Sequence, residues 1–131
     1  MPPASLIGYG EMEKQWEVGF HGDFAREFGA WSEEVQDATL SVLGKLRAFG
    51  PSLGRPSVDT LKGSEYPNMK ELRIQHSGRP YRVLFAFDPR RCAILLIGGD
   101  KTGNDRWYEE FVPIADALYD RHLQTLKKEG K

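Results

Sequence analysis

One stretch, ELRIQHSGRPYRVLFAFD at positions 71–88, constrains the fold of this chain most strongly. Apolar and polar residues alternate on both sides of HSGR, whose glycine suits a tight turn, and this pattern is typical of a β-hairpin. Because successive strand side chains point to opposite faces, the apolar residues share one face. That face carries Leu72, Ile74, Tyr81, Val83, Phe85 and Phe87, and the other carries Glu71, Arg73, Gln75, Arg82 and Asp88.

Two arginines in this hairpin need an explanation. With HSGR as the turn, Arg73 lies directly opposite Arg82, and both are expected to be solvent-accessible. Opposed side chains in an antiparallel pair have Cβ atoms about 4.5 to 5.5 Å apart, so like charges destabilise the pair. A phosphate lying between them explains the placement, because guanidinium groups bind phosphate oxygens in a bidentate manner. The alternative is that each arginine pairs with an acid such as Glu71 or Asp88.

The rest of the chain predicts helices and two further strands around the hairpin. The predicted strands are 16–20, 69–75, 80–88 and 91–99, and the predicted helices are 23–48 and 105–128. Gly29 is a candidate break in the first helical region, and Pro113 is expected to start a second piece of the last one. Residues 50–68 are rich in glycine and proline, which predicts an ordered connecting loop.

Charge is distributed unevenly along this chain, although its formal net charge is only −1. Residues 9–40 contain eight acidic residues against Lys14 and Arg26, whereas residues 62–91 contain seven basic residues against three acidic ones. A local excess of positive charge can attract a polyanion to one face. Two solvated surfaces explain the same distribution.

Several classes of protein are disfavoured by composition. Cys92 is the only cysteine, which leaves no internal disulfide and no cysteine-based zinc site. YDRH at 119–122 offers no third ligand to a metal, and no cofactor is expected. The apolar run AILLI at 93–97 is far shorter than the roughly 20 residues of a membrane span, and the N-terminus lacks an export-signal pattern. We therefore expect a soluble cytoplasmic protein with no membrane partner.

Four short motifs follow one another in this chain before an amphipathic terminal helix. They are LKG at 61–63, KELRI at 70–74, GRPYRVLFAF at 78–87 and ILLIGGDKTG at 94–103. Their order and spacing, over roughly residues 15–128, resemble the RelE/HigB toxin superfamily, most closely its phage-derived HigB-like branch. The resemblance implies one α+β domain over residues 1–131, with an antiparallel sheet of about four strands, two N-terminal helices and a C-terminal helix.

The resemblance also implies an activity, that of a type II toxin that cleaves messenger RNA on the ribosome as a metal-independent endoribonuclease. The catalytic residues implied by position are Arg73, Arg82, Lys101 and Tyr108, and the implied RNA-binding residues are Lys70, Arg79, Trp107 and His76. Cations would stabilise the charge that builds on the phosphorane, and an aromatic ring would stack on a base. No histidine is assigned as a general base. Glu71 stands where some relatives carry a lysine, which lowers the positive field.

The implied partners are the ribosome, messenger RNA and a cognate antitoxin, expected to be a DNA-binding protein of the helix-turn-helix type. Two alternatives share the same fold. A ParE-like protein inhibits DNA gyrase by binding it and lacks nuclease residues, which Arg73, Arg82 and Lys101 argue against. A non-catalytic interaction domain is compatible with Glu71 and with the slightly acidic net charge.

Overall fold

The computed structural model describes residues 15–130, so the first acids of the acidic segment and Lys14 lie outside the described residues. The elements within these described residues are five strands, three α-helices and one short 3-10 helix. In order they are β1 (Val18–Phe20), α1 (Gly22–Ala30), α2 (Glu33–Phe49), the 3-10 helix Gly50–Ser52, β2 (Val58–Thr60), β3 (Lys70–His76), β4 (Arg79–Phe87), β5 (Ala93–Asp100) and α3 (Trp107–Lys128).

The strands form one mixed sheet in the order β1-β5-β4-β3-β2. Strand β1 is parallel to β5, and the other neighbours are antiparallel. The α+β class is confirmed, but the expectation of about four antiparallel strands is one strand short. The additional strand is β2, which lies inside the predicted loop 50–68. It has only three residues and forms by pairing with β3, so no alternating pattern of its own revealed it.

The hairpin of β3 and β4 has the predicted register. Arg73 pairs with Arg82, and Gln75 pairs with Pro80. Ser77 and Gly78 at the turn have φ angles of 51° and 75°. Two consecutive positive φ values are the signature of the type I′ turn, whose twist matches that of the flanking strands.

Both faces of the sheet are covered by helices. Helices α1 and α2 pack on the predicted apolar face of the hairpin, in a cluster that includes Phe24, Leu43, Leu46, Leu72, Ile74, Val83 and Phe85. The opposite face, which carries Arg73 and Arg82, also carries buried Leu84 and Ala86, and α3 packs on these. Arg73 and Arg82 therefore lie at the end of this face next to the hairpin turn, beyond the apolar residues on which α3 packs.

The break between α1 and α2 does not lie at Gly29, which is inside α1. It lies at Trp31 and Ser32, both with extended backbones. The Ser32 hydroxyl accepts a hydrogen bond from the Val35 amide at 3.3 Å and caps α2. This hydrogen bond satisfies one of the free amides at the start of α2. A serine followed by acidic residues therefore marks the start of a helix, whereas Gly29 alone does not mark an end.

Helix α3 is continuous, so the expectation that Pro113 starts a separate helix was wrong. A proline inside a helix removes a backbone hydrogen bond. The helix persists because its apolar residues on both sides of Pro113, including Val112, Ala115 and Leu118, are buried against the sheet. No helix within residues 15–130 is long and apolar enough to span a bilayer.

Candidate functional site

The site predicted from the hairpin is built where α3 begins above the ends of β4 and β5. Arg82 lies in β4 between Arg73 in β3 and Gly99 in β5. A Cβ atom on Gly99 would lie 3.2 Å from Nε1 of Trp107. Because Gly99 has no side chain, the indole packs closely on the strand, and the next residue, Tyr108, is placed beside Arg82.

Three side chains from three elements meet at this point. The Tyr108 hydroxyl donates a hydrogen bond to Oε1 of Glu71 at 2.6 Å and accepts one from Nε of Arg82 at 3.2 Å. Arg82 Nε also lies 3.3 Å from Glu71 Oε1. Arg82 is only 6% exposed and Glu71 only 7% exposed. The expectation that both arginines are solvent-accessible was therefore wrong for Arg82, and its alternative, a pair with Glu71, is what the structure has.

The burial of Arg82 comes from α3. Tyr108 covers the guanidinium, and the Nη1 group donates a hydrogen bond to the Tyr81 carbonyl at 3.0 Å. These contacts use Nε and Nη1 and leave Nη2 without a partner among residues 15–130. An anion that reaches Arg82 could therefore bind Nη2 without displacing one of these hydrogen bonds.

Tyr108 is held in its protonated form. Burial raises the pKa of its hydroxyl, and the hydrogen bond to the Glu71 carboxylate raises it further, while Arg82 acts in the opposite direction. A phenol with a raised pKa remains a hydrogen-bond donor at neutral pH. Tyr108 is therefore suited to stabilise or protonate an oxygen and unsuited to act as a base.

Arg73 and Lys101 flank this group of three. Arg73 is half-buried and makes no side-chain ion pair or hydrogen bond within residues 15–130. The Nζ atom of Lys101 lies 5.7 Å from the centre of the Tyr108 ring, and the Lys101 amide donates to the Pro80 carbonyl at 2.9 Å. The structure thus brings all four predicted catalytic residues, Arg73, Arg82, Lys101 and Tyr108, to one end of the sheet.

Trp107 does not fit its predicted role in RNA binding. It is only 2% exposed, and its ring stacks on Phe111 with centroids 4.7 Å apart. A base therefore has no free indole face on which to stack. Its function here is packing, because it fills the space above Gly99 and fixes the start of α3.

The other predicted RNA-binding residues are spread over the hairpin. Arg79 is exposed and pairs with Asp100 at 2.9 Å. Lys70 and His76 alternate with Arg73 along β3, so they point to the sheet face opposite to it. The structure therefore does not bring Lys70 and His76 together with Arg82. Each lies three residues from Arg73 along β3, and an odd spacing on a strand places two side chains on opposite faces.

Glu71 has two roles in the site. The sequence interpretation gave its pair with an arginine only as an alternative and missed its hydrogen bond from Tyr108. We read it as a loss of positive charge, whereas its carboxylate joins Arg82 to Tyr108. A signal was present, because Glu71 is two residues from Arg73 on the same strand face and diagonal to Arg82. Glu71 and Tyr108 also line a cleft of about 370 Å³ that opens toward Asp59 and Lys62.

A second polar cluster lies at the other end of the sheet. Asp88, with a fully buried side chain, pairs with Arg90 at 2.7 Å and with Nε2 of His122 at 2.8 Å. Burial alone would raise the pKa of Asp88, but hydrogen bonds from Arg90, His122 and the Cys92 amide outweigh burial and lower it. The cluster ties the β4–β5 turn to α3. Within residues 15–130 no group of three or more His, Cys, Asp or Glu residues could hold a metal ion.

Known proteins resemble this chain in sequence and in fold. Residues 26–120 match the family described as "Phage derived protein Gp49-like (DUF891)". The Mycobacterium tuberculosis protein named "Putative toxin HigB3" is 55% identical over 101 residues, which cover 76% of this chain and 87% of that relative. The one named "Putative toxin HigB2" is 42% identical over 112 residues, which cover 81% of this chain and 55% of that relative.

The fold is that of a solved bacterial toxin. A free-state structure of an arginine-to-alanine double mutant of Escherichia coli toxin RelE has a TM-score of 0.54 and 14% identity, and the match covers 72% of this chain and 93% of RelE. At that identity the likeness concerns the fold alone. Taken with the matched residues 26–120, these findings place the chain in the phage-derived Gp49-like family of the RelE/HigB toxin superfamily.

Proposed function

We propose that this chain is the toxin of a type II toxin–antitoxin system and that it cleaves messenger RNA on the ribosome without a metal ion. The observation that supports this proposal is the convergence of Arg73, Arg82, Lys101 and Tyr108 at one end of the sheet. Three cations and a protonated phenol suit a reaction in which negative charge builds on a phosphate. Two relatives that carry toxin names add weight to it.

The reaction begins when a ribose 2′-hydroxyl attacks the adjacent phosphorus. The new P–O bond gives a phosphorane with extra negative charge, and the bond to the 5′-oxygen of the next nucleotide then breaks to leave a 2′,3′-cyclic phosphate. Arg82 Nη2, Arg73 and Lys101 would bind the non-bridging oxygens more strongly in the phosphorane than in the ground state, which lowers the barrier. Tyr108 would donate its proton to the leaving 5′-oxygen. Solvent water would take the proton that the 2′-hydroxyl loses, and Tyr108 would regain a proton from water.

Glu71 sets the starting state of this site. Its carboxylate is the present partner of both Arg82 and Tyr108. In the free protein, both Arg82 and Tyr108 are bound to this internal carboxylate. A phosphate that binds at Arg82 therefore competes with Glu71 for the guanidinium. Productive binding requires an RNA strand held closely enough to displace that contact.

The ribosome would supply this positioning. The site has cations and a phenol but no histidine near Arg82 among the described residues, so its own groups are too few for rapid chemistry on free RNA. Holding the 2′-hydroxyl close to the phosphorus and in line with the leaving group can contribute several kcal/mol, since effective molarities are worth about 7–11 kcal/mol at best. The proposed site of action is therefore the cytoplasm, where translating ribosomes are found.

The proposed regulator is a cognate antitoxin, of the DNA-binding helix-turn-helix type. The acidic surface of α1 and α2, and Ile114 on α3, which is 41% exposed, are surfaces on which it could dock. If the purified chain is harmless when expressed alone and captures no protein encoded next to it, this part of the proposal fails.

One observation favours a second function, that of a non-catalytic interaction domain. The buried pair of Arg82 and Glu71 neutralises a predicted catalytic cation. The two functions are separated by inducing the protein in cells and mapping the 5′ ends of messenger fragments. A toxin nuclease arrests growth and produces cuts that disappear in Arg73→Ala and remain in Arg121→Ala, an exposed arginine on α3. Growth arrest without new messenger ends would reject the nuclease, and inhibition of gyrase supercoiling would then indicate the ParE-like alternative.

A further inference from the structure

A basic pocket of about 510 Å³ lies beside the site, at the edge of the sheet. It exists because β2 pairs only with the first residues of β3, and the edge of β3 is uncovered beyond Arg73, whose amide still donates to the Ser57 carbonyl at 2.8 Å. Helix α2 forms one wall, and the segment before β2 forms another. Four cations line it, namely Lys45, Arg55, Arg73 and Arg82, and no acidic side chain does. We refer to it as the edge pocket.

Two of these cations are not engaged in a side-chain hydrogen bond or a close ion pair among the described residues. Lys45 is exposed and Arg73 is half-buried, and neither makes a side-chain ion pair or hydrogen bond within residues 15–130. Like charges gathered around one concavity destabilise the protein unless an anion enters. The volume lies within the range of about 300–1,000 Å³ that small-molecule sites have, which is ample for a phosphate and its sugar.

Arg55 also lines the edge pocket, but its guanidinium is already bound to one acid, Asp59. Both Nε and Nη2 of Arg55 donate to Oδ2 of Asp59, at 3.1 and 2.7 Å. The pair is on the surface, with the Arg55 side chain 74% exposed, so water and ions compete with it and it holds Arg55 only weakly. Asp59 also lines the cleft beside Glu71 and Tyr108, so it lies between that cleft and the edge pocket.

We propose that the edge pocket is a second phosphate-binding subsite for single-stranded RNA, in which Lys45 and Arg73 hold backbone phosphates of the strand whose scissile phosphate lies at Arg82. In this subsite Arg55 exchanges Asp59 for a phosphate when RNA binds. The inference rests on the proposed function, because it assigns the same RNA to both places. Arg73 belongs to both, and its guanidinium makes no hydrogen bond or close ion pair within residues 15–130 that RNA would have to displace.

The test is the binding of a fluorescent single-stranded RNA to the whole protein by anisotropy. An oligonucleotide about eight nucleotides long is within the site sizes of single-strand binders. Methylated 2′-hydroxyls prevent its cleavage. We expect Lys45→Ala and Arg55→Ala each to weaken binding roughly threefold or more and to reduce the steepness of the salt dependence by about 0.7 per lost phosphate contact. Asp59→Asn should tighten binding, because it frees Arg55.

The chain offers a matched control pair outside the pocket. Arg26 donates to Asp23 at 3.0 Å, and its side chain is 75% exposed, closely like Arg55 and Asp59. Arg26→Ala and Asp23→Asn change the net charge by the same amounts as the corresponding test variants. They should leave both the affinity and the salt dependence at wild-type values. Circular dichroism and thermal unfolding of every variant establish that binding differences do not come from unfolding.

Each other outcome overturns the inference. Equal losses of RNA affinity in Arg26→Ala and Arg55→Ala would mean that binding depends on the net charge of the protein and not on the edge pocket. Failure of the wild type to bind the oligonucleotide at about 50 mM salt would mean that the pocket does not recognise RNA phosphates by itself. Tighter binding of an acidic peptide, lost in Lys45→Ala, would assign the pocket to a protein partner.

The proposed function fails separately from this inference. If the wild type cleaves messenger on ribosomes while Lys45→Ala and Arg55→Ala bind RNA normally, the proposed nuclease function is supported and the proposed RNA subsite is rejected. If the variants weaken RNA binding while the wild type never cleaves messenger, the RNA subsite is supported and the nuclease function is rejected.

Discussion

The Nε atom of Arg82 lies 3.3 Å from Oε1 of Glu71, and both side chains are almost completely buried under Tyr108. A buried charge is stable only with a partner, because removal from water is costly for each ion. This pair therefore links the stability of the protein to the groups proposed to act on RNA. The other cations of the site, Arg73 and Lys101, are more accessible and are not linked in this way.

Arg82→Ala should destabilise the protein. The substitution leaves the Glu71 carboxylate buried without its cation, and breaking one partner of a buried pair costs about 3–5 kcal/mol. Glu71→Leu combined with Arg82→Met should recover most of that loss, since it removes both charges. The free energy of unfolding in urea measures all three proteins. A loss below about 1 kcal/mol in Arg82→Ala would show that the pair is solvated.

Arg73→Ala should abolish cleavage of messenger while leaving the fold intact. Arg73 has no internal ion pair among the described residues, so its loss should change the free energy of unfolding by no more than about 0.5 kcal/mol. Arg26→Ala removes an exposed arginine of α1, one paired with Asp23, and serves as the control with retained cleavage. Unchanged cleavage by Arg73→Ala in a ribosome assay would remove Arg73 from the site.

Tyr108→Phe tests the contribution of the hydroxyl group separately from that of the ring. The ring keeps its contact with Lys101 and with Trp107, while Glu71 loses the donor that lies 2.6 Å away. Arg82 Nε still lies 3.3 Å from the same oxygen, so the expected loss is that of one hydrogen bond to a charged group, about 1.5–3 kcal/mol of stability. If Tyr108 donates a proton to the leaving oxygen, cleavage should fall by about 10²-fold or more. Full activity in the phenylalanine variant would exclude that role.

The Asp88 cluster should make the stability of the protein depend on pH in the acidic range. The folded-state pKa of Asp88 is lowered, so its contribution to stability is present above the unfolded value near 3.8 and is lost as the pH falls through the folded value. We expect Asp88→Asn to be less stable than the wild type at pH about 6, with the difference shrinking below pH about 4. Urea unfolding at several pH values checks this. A constant difference would mean that Asp88 does not titrate with folding.

The hairpin was predictable because its information is local. Strict alternation and a glycine turn set the register that placed Arg73 opposite Arg82, and the structure has that register. The same alternation predicted the apolar face of the hairpin, and the structure shows that α1 and α2 are the helices that pack on it. Strand β2 was not predictable, because three residues carry no period and the strand depends on β3 for its pairing.

The burial of the site was not predictable because it depends on distant contacts. Tyr108 is 26 residues from Arg82 in the sequence, and its position depends on Trp107 packing on Gly99. Sequence pattern marked the aromatic pair and the glycines without showing which aromatic residue would be buried. The continuity of α3 through Pro113 also depends on tertiary packing, which can override a local helix breaker.

The decisive measurement for the proposed chemistry is cleavage of messenger on purified translating ribosomes, with and without a chelator at a level that leaves the ribosomes intact. We expect efficient cleavage on ribosomes, little cleavage of the same RNA free in solution, no loss with the chelator, and no cleavage by Arg73→Ala. Rapid cutting of free RNA that stops when the chelator is added would contradict it. That result would mean that Arg73, Arg82, Lys101 and Tyr108 do not carry the chemistry.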